Sequence, residues 1–427
     1  MKLLFVSNQF PPDSRGGYEN LCKEVATAFV SRGHQVTVVT SRSVDGAAVK
    51  EEAPFPVLRV LRRQLEGGLK STVVKLLRED RQCEAENLRQ VRTIVSELHP
   101  DGVLIWGMWN IARAVPAEFE RLLPERTAYY LCDYWPSLPS AYIQRFEEPA
   151  RRGAAQLLKS ILGAYFLPQL RSEALVQLHL KNVFTVSQAL REILVSKGVA
   201  ISHAQVIYGG TQTAEYLAAG EQRISRLGEL RLIWMGRLEA DKGLHTAIEA
   251  MKRLHTSPNV QISLDIYGKG DPAYTERVQS LVTQFGLSNT VKFCGSVPRS
   301  EIAAVLAQHD ILLFTSEWEE PFARSPLEAL LVGLAVISTT TGGSGEAMID
   351  RETALTYRAG DAAALASKIE ELAANPQLRT CLAERGRQLV IERFSFDRTV
   401  DELETAMLQL CRGDILIQQM HESSGTV

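Results

Sequence analysis

The sequence predicts an α/β protein with two Rossmann-like domains facing each other across a cleft. Short apolar runs, typical of buried strands, alternate with amphipathic helical stretches almost from end to end. This alternation occurs as two series, one before about residue 208 and one after about residue 230. Apolar strands separated by helices are typical of parallel sheets that are covered on both faces. The length of 427 residues suits two domains with substantial cores.

The first series starts at the N-terminus. Its predicted strands are residues 3–6, 36–39, 103–106, 128–131 and 182–186. A first helix is expected to end at Gly33, and a later one to end before His99 and Pro100. Ser187 is expected to cap a helix that closes at Gly198.

The second series follows Tyr208-Gly209-Gly210. Its predicted strands are residues 232–235, 262–267, 291–293, 311–314 and 335–338. We therefore expect an N-terminal domain over residues 1–208 and a C-terminal domain over 209–394. Residues 45–82 are rich in arginine and lysine and fit neither series.

Composition narrows the class of protein further. The apolar fraction is 45%, and 47 lysines and arginines nearly balance 50 acidic residues, for a formal net charge of −3. This balance argues against a nucleic-acid binder that relies on a positive surface. The six cysteines are scattered, without a C-x-x-C pair, which predicts no disulfide framework, no zinc site and a cytoplasmic location. The apolar start is too short for a signal peptide, and no apolar run is long enough to span a membrane.

Ligands of open α/β sheets bind beyond the carboxyl ends of the strands, so the loops after the strands are the candidate sites. The first loop lacks the G-x-G-x-x-G pattern of dinucleotide enzymes but carries Gly16-Gly17 at a helix start. That pair either lets a phosphate or polar substrate approach the backbone amides or forms a flexible turn.

A loop of the second series, residues 236–243, is more informative. Arg237 follows the strand and Lys242 precedes a helix. The two cations either converge on a diphosphate, with help from the helix dipole, or are solvated on a surface loop.

Two glutamates flank a helix start in the segment 319–330. Ser325-Pro326-Leu327-Glu328 has the form of a capping box with proline at the first helical position. Glu328 is therefore either a capping carboxylate or an acceptor of hydrogen bonds from a ribose diol, and Glu320 in the preceding loop would then face a sugar. A glycine-rich loop at 341–346 either approaches a ligand closely or is a tight turn with a solvated Glu346.

Taken in order, these segments resemble the retaining, nucleotide-sugar-dependent glycosyltransferases of family 4, which have the GT-B fold. The resemblance covers most of the chain. It implies that residues 1–208 form the acceptor domain, that 209–394 form the nucleotide-sugar donor domain, and that 395–427 cross back onto the first domain. The matching motifs are the P-P-x-x-x-G-G loop, the segment Arg32 to Thr40, G-R-L-x-x-x-K-G at 236–243, I-Y-G-K-G-D at 266–271, Glu320 and Glu328 with seven residues between them, G-G-x-x-E ending at Glu346, and Glu392 to Phe396.

The resemblance implies a role for each matching residue. Arg237 and Lys242 would neutralise the donor diphosphate, Glu328 would hold the ribose, and Glu320 would contact the donor sugar. The further donor-binding positions that it implies are Gly17, Gly236, Gly268, Val297, Phe322 and Ala323. It also implies that no metal and no other cofactor is needed.

The chain departs from the family pattern in two places. Cys132 stands where a histidine is expected, and its neighbour Asp133 is a candidate for a polar role toward the donor sugar or the acceptor. The chain has Tyr208-Gly209-Gly210 where an asparagine–glycine pair is common before the linker.

These observations lead to a cytoplasmic retaining glycosyltransferase of the hexosyltransferase type. The acceptor class stays open between a glycan, a lipid-linked molecule and a small molecule, as do the donor base and sugar. Two alternatives keep the fold: a nucleotide-sugar epimerase, and a degenerate transferase that binds nucleotide sugar as a sensor or scaffold. The stretch from Arg151 to Arg171 mixes cations with apolar residues, so it either contacts an anionic membrane or packs on its own domain.

Overall fold

The computed structural model describes residues 1–13, 16–43, 53–148, 153–172, 176–223, 228–255 and 260–412. The chain divides into two compact units. The first comprises the described residues within 1–186, 191–207 and 400–427, and the second comprises those within 187–190 and 208–399.

The first unit is built on a seven-stranded sheet in which every pair of neighbouring strands is parallel. Its strands are β1 (Lys2–Val6), β2 (Gln35–Ser41), β3 (Val57–Leu61), β4 (Gly102–Ile105), β5 (Thr127–Leu131), β6 (Asn182–Thr185) and β7 (Gln205–Val206). The order across the sheet is β3-β2-β1-β4-β5-β6-β7. The chain adds strands first toward one edge of the sheet and then, from β4 onward, toward the other edge. Open α/β sheets bind ligands at such a switch point, which here lies between β1 and β4.

Helices flank this sheet. They are α1 (Gly17–Ser31), α2 (Leu69–Arg78), α3 (Asp80–Leu98), α4 (Ala114–Leu122), α5 (Ala141–Glu147), α6 (Gly153–Ser172) and α7 (Gln188–Ser196). The central strands β4 and β5 are buried throughout, as their continuous apolar runs predict. The predicted helix ends near Gly33 and His99 are confirmed, and so is the cap of α7, where the Leu190 amide donates to Ser187 Oγ at 3.0 Å.

The arginine- and lysine-rich segment that fitted neither series contains β3 and α2. The burial of β3 is only intermediate over its first four residues, so it lacks the apolar run of a central strand. Lys75 of α2 is buried, and its Nζ donates to the Arg63 carbonyl at 2.7 Å and pairs with Glu66 at 2.9 Å. The pattern of apolar residues does not reveal a lysine that is buried because its charge is paired. Residues 44–52 lie outside the described part of the chain.

The second unit repeats the architecture with a six-stranded parallel sheet. Its strands are β8 (Glu229–Met235), β9 (Gln261–Tyr267), β10 (Val291–Gly295), β11 (Ile311–Phe314), β12 (Ala335–Ser338) and β13 (Leu355–Thr356). The order is β10-β9-β8-β11-β12-β13, with the switch point between β8 and β11. All five strands predicted for this series are present.

The helices of the second unit bury its sheet on both faces. They are α8 (Ala214–Glu221), α9 (Leu244–Arg253), α10 (Pro272–Gln284), α11 (Ile302–Leu306), α12 (Arg324–Val332), α13 (Ala362–Ala374) and α14 (Pro376–Arg393). Two apolar clusters form the core, and neighbouring residues of β8 alternate between them: Leu232 and Trp234 lie in one, Ile233 in the other. This is the alternation of a strand that is covered on both sides.

A last helix, α15 (Phe396–Arg412), begins in the second unit and continues into the first. Within the first unit, Arg32 pairs with Asp401 at 2.7 Å and with Glu404 at 2.5 Å. Met407 is fully buried, and a side chain on Gly102 at the start of β4 would meet it at 3.1 Å. The C-terminal helix is therefore part of the packing of the first sheet.

Across the described ranges, no helix combines the length and the apolar character needed to cross a lipid bilayer.

Candidate functional site

The loops that follow β8, β9, β10, β11 and β12 all leave the carboxyl edge of the parallel sheet of the second unit. Backbone contacts between these loops need glycine. The Gly268 amide donates to the Gly295 carbonyl at 2.8 Å, and the Gly236 amide donates to the Tyr267 carbonyl at 3.1 Å. At Gly268 φ is 150°, and a Cβ there would lie 1.8 Å from the Gly236 carbonyl oxygen. The structure thus brings the segments of Gly236 and Gly268 together with the segment of Val297, which lies two residues after Gly295.

Lys242 and Glu320, predicted from separate loops, form an ion pair. Lys242 Nζ lies 2.5 Å from Glu320 Oε1, and the two side chains are only 14% and 12% exposed. Ser316 Oγ donates to the same carboxylate oxygen at 2.8 Å, and the Lys242 ammonium lies 4.8 Å from the ring centroid of Trp318. Removing two charges from water is expensive, so such a pair is weak evidence for stability.

The second predicted cation is in a different environment. Arg237 is half-exposed and pairs with Glu239 at 2.9 Å, two residues along the same loop. An exposed pair of this kind contributes about 0–1 kcal/mol, so Arg237 exchanges this partner for another anion at little cost.

Glu328 is not a capping residue. The helix α12 begins at Arg324, with Ala323 as the N-cap residue and no side-chain cap, so Glu328 lies in its second turn and Pro326 is the third helical residue. The interpretation of 325–328 as a capping box is therefore wrong. Glu328 is 3% exposed and accepts from Arg299 Nη2 at 2.9 Å. Its carboxylate also lies 3.9 Å from Arg324 Nε, so Glu328 is a buried, paired acceptor and not a cap.

The glycine-rich loop after β12 supports the Glu320 loop. At Gly342 φ is 57°, and a Cβ there would lie 2.2 Å from the Glu320 carbonyl oxygen. The Gly343 amide donates to the same carbonyl at 2.7 Å. These glycines thus allow close approach to protein backbone.

Glu346, at the end of that loop, is not solvated. Its carboxylate accepts from the amides of Gln188 and Ala189 at 3.1 and 2.9 Å and from the Tyr208 hydroxyl at 2.8 Å. It therefore caps the start of α7, as the favourable interaction of an anion with a helix N-terminus predicts. The expectation of a solvated Glu346 is wrong.

Phe322 and Ala323 lie between the Glu320 loop and the first turn of α12. The Phe322 ring packs 5.4 Å from the Tyr208 ring and 5.3 Å from the Phe394 ring, which fixes the backbone here. Among the described residues, no backbone acceptor meets the amide of Phe322 or of Ala323. Both N–H groups precede a helix, where donors suit an anionic or hydroxyl-rich ligand.

The first unit holds the other two predicted positions. Gly17 is the first residue of α1, and a Cβ there would meet no atom within 4 Å. Asp133 follows β5, and its Oδ1 accepts from the Trp135 amide at 3.0 Å. Burial, partly offset by that hydrogen bond, raises the pKa of Asp133 to about 6.

Cys132, at the position where the family has histidine, is buried, and burial raises the pKa of its thiol. A buried thiol of raised pKa is a poor nucleophile and a poor metal ligand. Asp133 is thus the titratable side chain available at this strand end.

Sequence reasoning missed several contributors to the site. Ser316 and Trp318, which contact Glu320 and Lys242, lie just after β11 in a strand-end loop, and that position was the available signal. Arg299 lies 29 residues before Glu328, and nothing local links the two.

Among the residues that the structure describes, no group of three or more histidine, cysteine or acidic side chains is placed to hold a metal ion.

Each unit is thus a parallel-sheet, Rossmann-like α/β domain, and the chain has the GT-B fold that the sequence predicts. Over 96% of this chain the fold is similar to sucrose-phosphate synthase from Thermosynechococcus elongatus, with a TM-score of 0.71, 19% identity and 99% of that chain covered. Anabaena HepE in complex with UDP is similar over 96% of this chain and 100% of its own, with a TM-score of 0.67 and 20% identity.

Residues 221–389 match the family model of glycosyl transferases group 1. This segment of the chain is similar to the group 1 glycosyltransferases. The matched segment contains Arg237, Lys242, Glu320 and Glu328.

Two curated proteins are similar to part of this chain. The lipopolysaccharide core biosynthesis glycosyltransferase LpsE of Rhizobium meliloti is 33% identical over 207 residues, which is 48% of this chain and 57% of that protein. Glycogen synthase of Mycobacterium tuberculosis is 27% identical over 235 residues, 55% of each chain. The chain therefore matches little more than half the length of these relatives.

Proposed function

We propose that the protein is a glycosyltransferase that moves a sugar from a nucleoside-diphosphate donor to an acceptor hydroxyl, with retention of anomeric configuration. The observation that carries the proposal is the desolvated Lys242–Glu320 pair at the carboxyl edge of the second sheet. This pair keeps a cation and a sugar-binding carboxylate close together, where open α/β sheets take their ligands.

The donor diphosphate binds Lys242 and Arg237. Lys242 turns from Glu320 to the phosphate oxygens, and Arg237 leaves its exposed pair with Glu239. The negative charge on the leaving nucleotide grows as the sugar departs, so these cations act most strongly in the transition state.

The donor sugar and the nucleoside bind the surrounding groups. Glu320, released by Lys242, accepts from sugar hydroxyls, while the amides of Phe322 and Ala323 donate to them. Glu328 accepts from the ribose diol, and the base lies against the backbone near Gly268 and the 294–297 segment.

The reaction itself is a substitution at the anomeric carbon. The bond from this carbon to the diphosphate oxygen breaks with its electron pair, and a bond to the acceptor oxygen forms on the same face. The acceptor proton passes to the departing diphosphate. No carboxylate nucleophile enters this scheme, and Asp133 takes a polar role toward sugar or acceptor.

We propose that turnover needs no metal ion, because Lys242 and Arg237 supply the positive charge that a divalent cation supplies elsewhere. Addition of EDTA to the purified protein should leave the rate unchanged. A rate that falls with EDTA and recovers with Mg²⁺ or Mn²⁺ would remove this part of the proposal.

The test of the whole proposal is transfer and hydrolysis with a panel of nucleotide sugars, with product anomers read by NMR. Lys242→Ala should lower kcat by about a hundredfold or more, because it removes a group that stabilises developing charge. Lys292→Ala, an exposed lysine of β10, is the matched control and should keep the wild-type rate.

The alternatives predict different products. An epimerase would return an isomerised nucleotide sugar without any acceptor. A degenerate sensor would bind donor in a calorimeter with no turnover on any donor and acceptor. A product of inverted anomeric configuration would contradict the proposed retention but not the proposed sugar transfer.

We propose further that the enzyme works in the cytoplasm, at a lipid surface contacted by α6. Leu157, Leu158, Ile161 and Tyr165 are 54–72% exposed along this helix. The helix contains no acidic residue, and Arg151 and Arg152, which lie outside the described residues, precede it in the sequence. An apolar face without negative charge suits an anionic membrane surface. The opposite face packs on its own unit, where Phe166 stacks on Phe146 at 5.8 Å.

Flotation with phosphatidylglycerol vesicles tests the membrane contact. Leu157→Ser with Ile161→Ser should abolish flotation, whereas Ile391→Ser, a partly exposed apolar residue of α14, should not change it. Equal flotation of all three proteins, or none for the wild type, contradicts the contact.

A further inference from the structure

His245 joins separate elements of the second unit beside Lys242. It is the second residue of α9 and lies three residues after Lys242. Its Nε2 lies 3.1 Å from Glu317 Oε1 in the Glu320 loop, which follows β11. Its Nδ1 lies 3.0 Å from the hydroxyl of Tyr274 on α10, and its backbone amide donates to the same hydroxyl at 3.2 Å. One side chain thus links the start of α9 to the Glu320 loop and to α10.

The ring of His245 is held at both nitrogens. All three contacts are satisfied when the ring proton lies on Nε2. The Tyr274 hydroxyl then accepts from the backbone amide and donates to Nδ1, while Nε2 donates to Glu317. The side chain is 26% exposed. The orientation of the imidazole is therefore fixed by the protein, and its Nε2 donor points to Glu317.

Glu317 is anchored at the start of α9. The same carboxylate oxygen that faces His245 accepts from Thr246 Oγ1 at 3.0 Å. His245 and Thr246 are the second and third residues of the helix, and an anion there interacts favourably with the helix dipole. Two hydrogen bonds thus tie a side chain of the Glu320 loop to the helix that follows Lys242.

The backbone beside Glu317 contacts the turn that precedes this helix. The amides of Glu317 and Trp318 donate to the Asp241 carbonyl at 2.8 and 3.2 Å. Asp241 is the central residue of a short 3-10 turn, Ala240–Lys242, which we call the Lys242 turn. The Glu320 loop is therefore bound to this part of the chain twice. The backbone binds it at the turn, and the Glu317 carboxylate binds it just after the turn.

The Lys242 turn places the ammonium group on which the proposed function depends. Thr315 Oγ1 donates to the Lys242 carbonyl at 2.7 Å. The ammonium lies 2.5 Å from Glu320 Oε1 and 4.8 Å from the ring centroid of Trp318. A misplacement of about 1 Å in such a group can lower the rate about a hundredfold. The contacts that hold the turn against the Glu320 loop therefore bear directly on turnover.

We propose that His245 is a positioning residue, which acts through Glu317 to keep the Lys242 turn and the Glu320 loop in the relative position that turnover requires. The effect passes from Nε2 to the Glu317 carboxylate, and from the Glu317 backbone to Asp241, next to Lys242. The role of His245 in turnover rests on the proposed function, whereas its role in holding the two segments together does not.

Two substitutions separate the contributions of the two ring nitrogens. The side-chain nitrogen of glutamine can occupy the position of Nε2, whereas that of asparagine reaches only the position of Nδ1. His245→Gln should therefore keep the hydrogen bond to Glu317 and most of the wild-type kcat. His245→Asn loses that bond and should lower kcat about tenfold with little change in donor KM, because Lys242 acts most strongly in the transition state.

The assay is donor hydrolysis with UDP-glucose, UDP-N-acetylglucosamine, GDP-mannose and ADP-glucose. His255→Asn is the matched control and should keep the wild-type kcat. His255 also pairs with a glutamate, Glu370 at 2.9 Å, but it is 92% exposed. In a Lys242→Ala background, His245→Asn should lower kcat much less than in the wild type, because both changes affect the same group. Losses that simply multiply would show that His245 acts elsewhere and overturn this inference.

The ¹⁹F NMR signal of Trp318 gives a readout that does not need turnover. Protein labelled with 5-fluorotryptophan has five signals for its five tryptophans, and Trp318→Phe identifies the one required. The Trp318 amide donates to Asp241 and its ring lies beside Lys242, so its signal reports the contact between the turn and the loop. His245→Asn should shift this signal, whereas His245→Gln and His255→Asn should leave it at the wild-type position.

The outcomes separate this inference from the proposed function. Wild-type turnover with unchanged kcat in His245→Asn, or an equal loss in His245→Gln, overturns the inference and leaves the enzyme. A wild type without turnover, whose Trp318 signal shifts in His245→Asn alone, removes the proposed function and leaves the contact. A Trp318 signal that does not respond to His245→Asn overturns the inference in either case.

Glu317→Gln is the second variant, for use if His245→Asn does not fold. It weakens both hydrogen bonds to the carboxylate while keeping the shape of the side chain, so it should lower kcat and shift the Trp318 signal. An unchanged kcat together with an unchanged signal in Glu317→Gln overturns the inference.

Discussion

At the scale of single residues, Glu328 shows how the structure excludes one of two roles that the sequence leaves open. The carboxylate is buried in the second turn of α12 and pairs with Arg299, so it contributes no cap. Ribose binding is the role proposed for it above.

We expect Glu328→Gln to weaken donor binding by tenfold or more, because hydrogen bonds to a charged acceptor contribute about 1.5–3 kcal/mol each. Thermal stability should change little, since glutamine has the same shape and the Arg299 partner is partly exposed. Calorimetry with donor and thermal melts measure the two effects. Glu301→Gln, an exposed neighbour of Arg299, is the control, and unchanged donor affinity in Glu328→Gln would contradict the assigned role.

Asp133 carries a prediction about pH. Its pKa is about 6 in the folded protein, against 3.8 for a free side chain. Between these values the folded state binds more protons than the unfolded state, so the free energy of unfolding decreases as pH rises from 4 to 6 and then levels off. Two pKa units correspond to about 3 kcal/mol at most.

Asp133→Asn removes the free-energy cost of ionising a buried carboxylate while keeping an acceptor for the Trp135 amide. Its melting temperature should therefore exceed that of the wild type at pH 7.5, with a difference that narrows toward pH 4. Melts between pH 4 and 8 measure this, with Asp397→Asn, an exposed aspartate, as control. A variant that is less stable at pH 7.5 would show that the ionised carboxylate is stabilised in the fold.

At the scale of elements, the loops rather than the strands position the site. The loop after β12 supports the loop after β11 through Gly342 and Gly343, and the loop after β9 meets the loop after β8 through Gly268. Each contact is backbone against backbone, which only glycine permits.

Gly342→Ala tests this support. The new Cβ would lie 2.2 Å from the Glu320 carbonyl oxygen, so the Glu320 loop must shift and turnover should fall at least tenfold. Gly286→Ala is the matched control, because φ is 70° there but no atom lies within 4 Å of the new Cβ. It incurs only the backbone strain of about 1–2 kcal/mol. Equal rates in the two variants would mean that the Glu320 loop does not depend on this contact.

At the scale of the whole molecule, the helix α15 joins the end of the chain to the sheet of the first unit. The region that matches the family model ends at residue 389, before this helix begins. The stability of the first unit therefore depends on a segment outside that region.

We expect Met407→Ala to lower the free energy of unfolding by about 2–5 kcal/mol, the cost of a large-to-small change in a core. Donor affinity below the melting temperature should stay normal, because the residues proposed to bind the donor, apart from Gly17, lie in the second unit. Chemical denaturation and calorimetry measure the two quantities. Gln409→Ala, exposed on the same helix, should change neither, and a loss of donor affinity in Met407→Ala would refute this separation.

The sequence by itself determined the two series of strands and helices, and all ten predicted strands are present. Strand and helix periodicity can be recognised locally in the sequence. A buried parallel strand such as 311–314 needs a continuous apolar run, whichever strands lie beside it in the sheet. The strand β3 was missed because its residues are only half-buried, and β7 and β13 have two residues each. The motifs also indicated the strand-end loops of Lys242 and Glu320 and the helix start that precedes Glu328.

Only the tertiary structure decided which of these residues meet. Lys242 pairs with Glu320 across 78 residues, Arg299 with Glu328 across 29, and Glu346 caps α7 across 158 residues. No local pattern encodes such contacts, because they depend on the order of the strands in the sheet and on close approach of backbones at glycines.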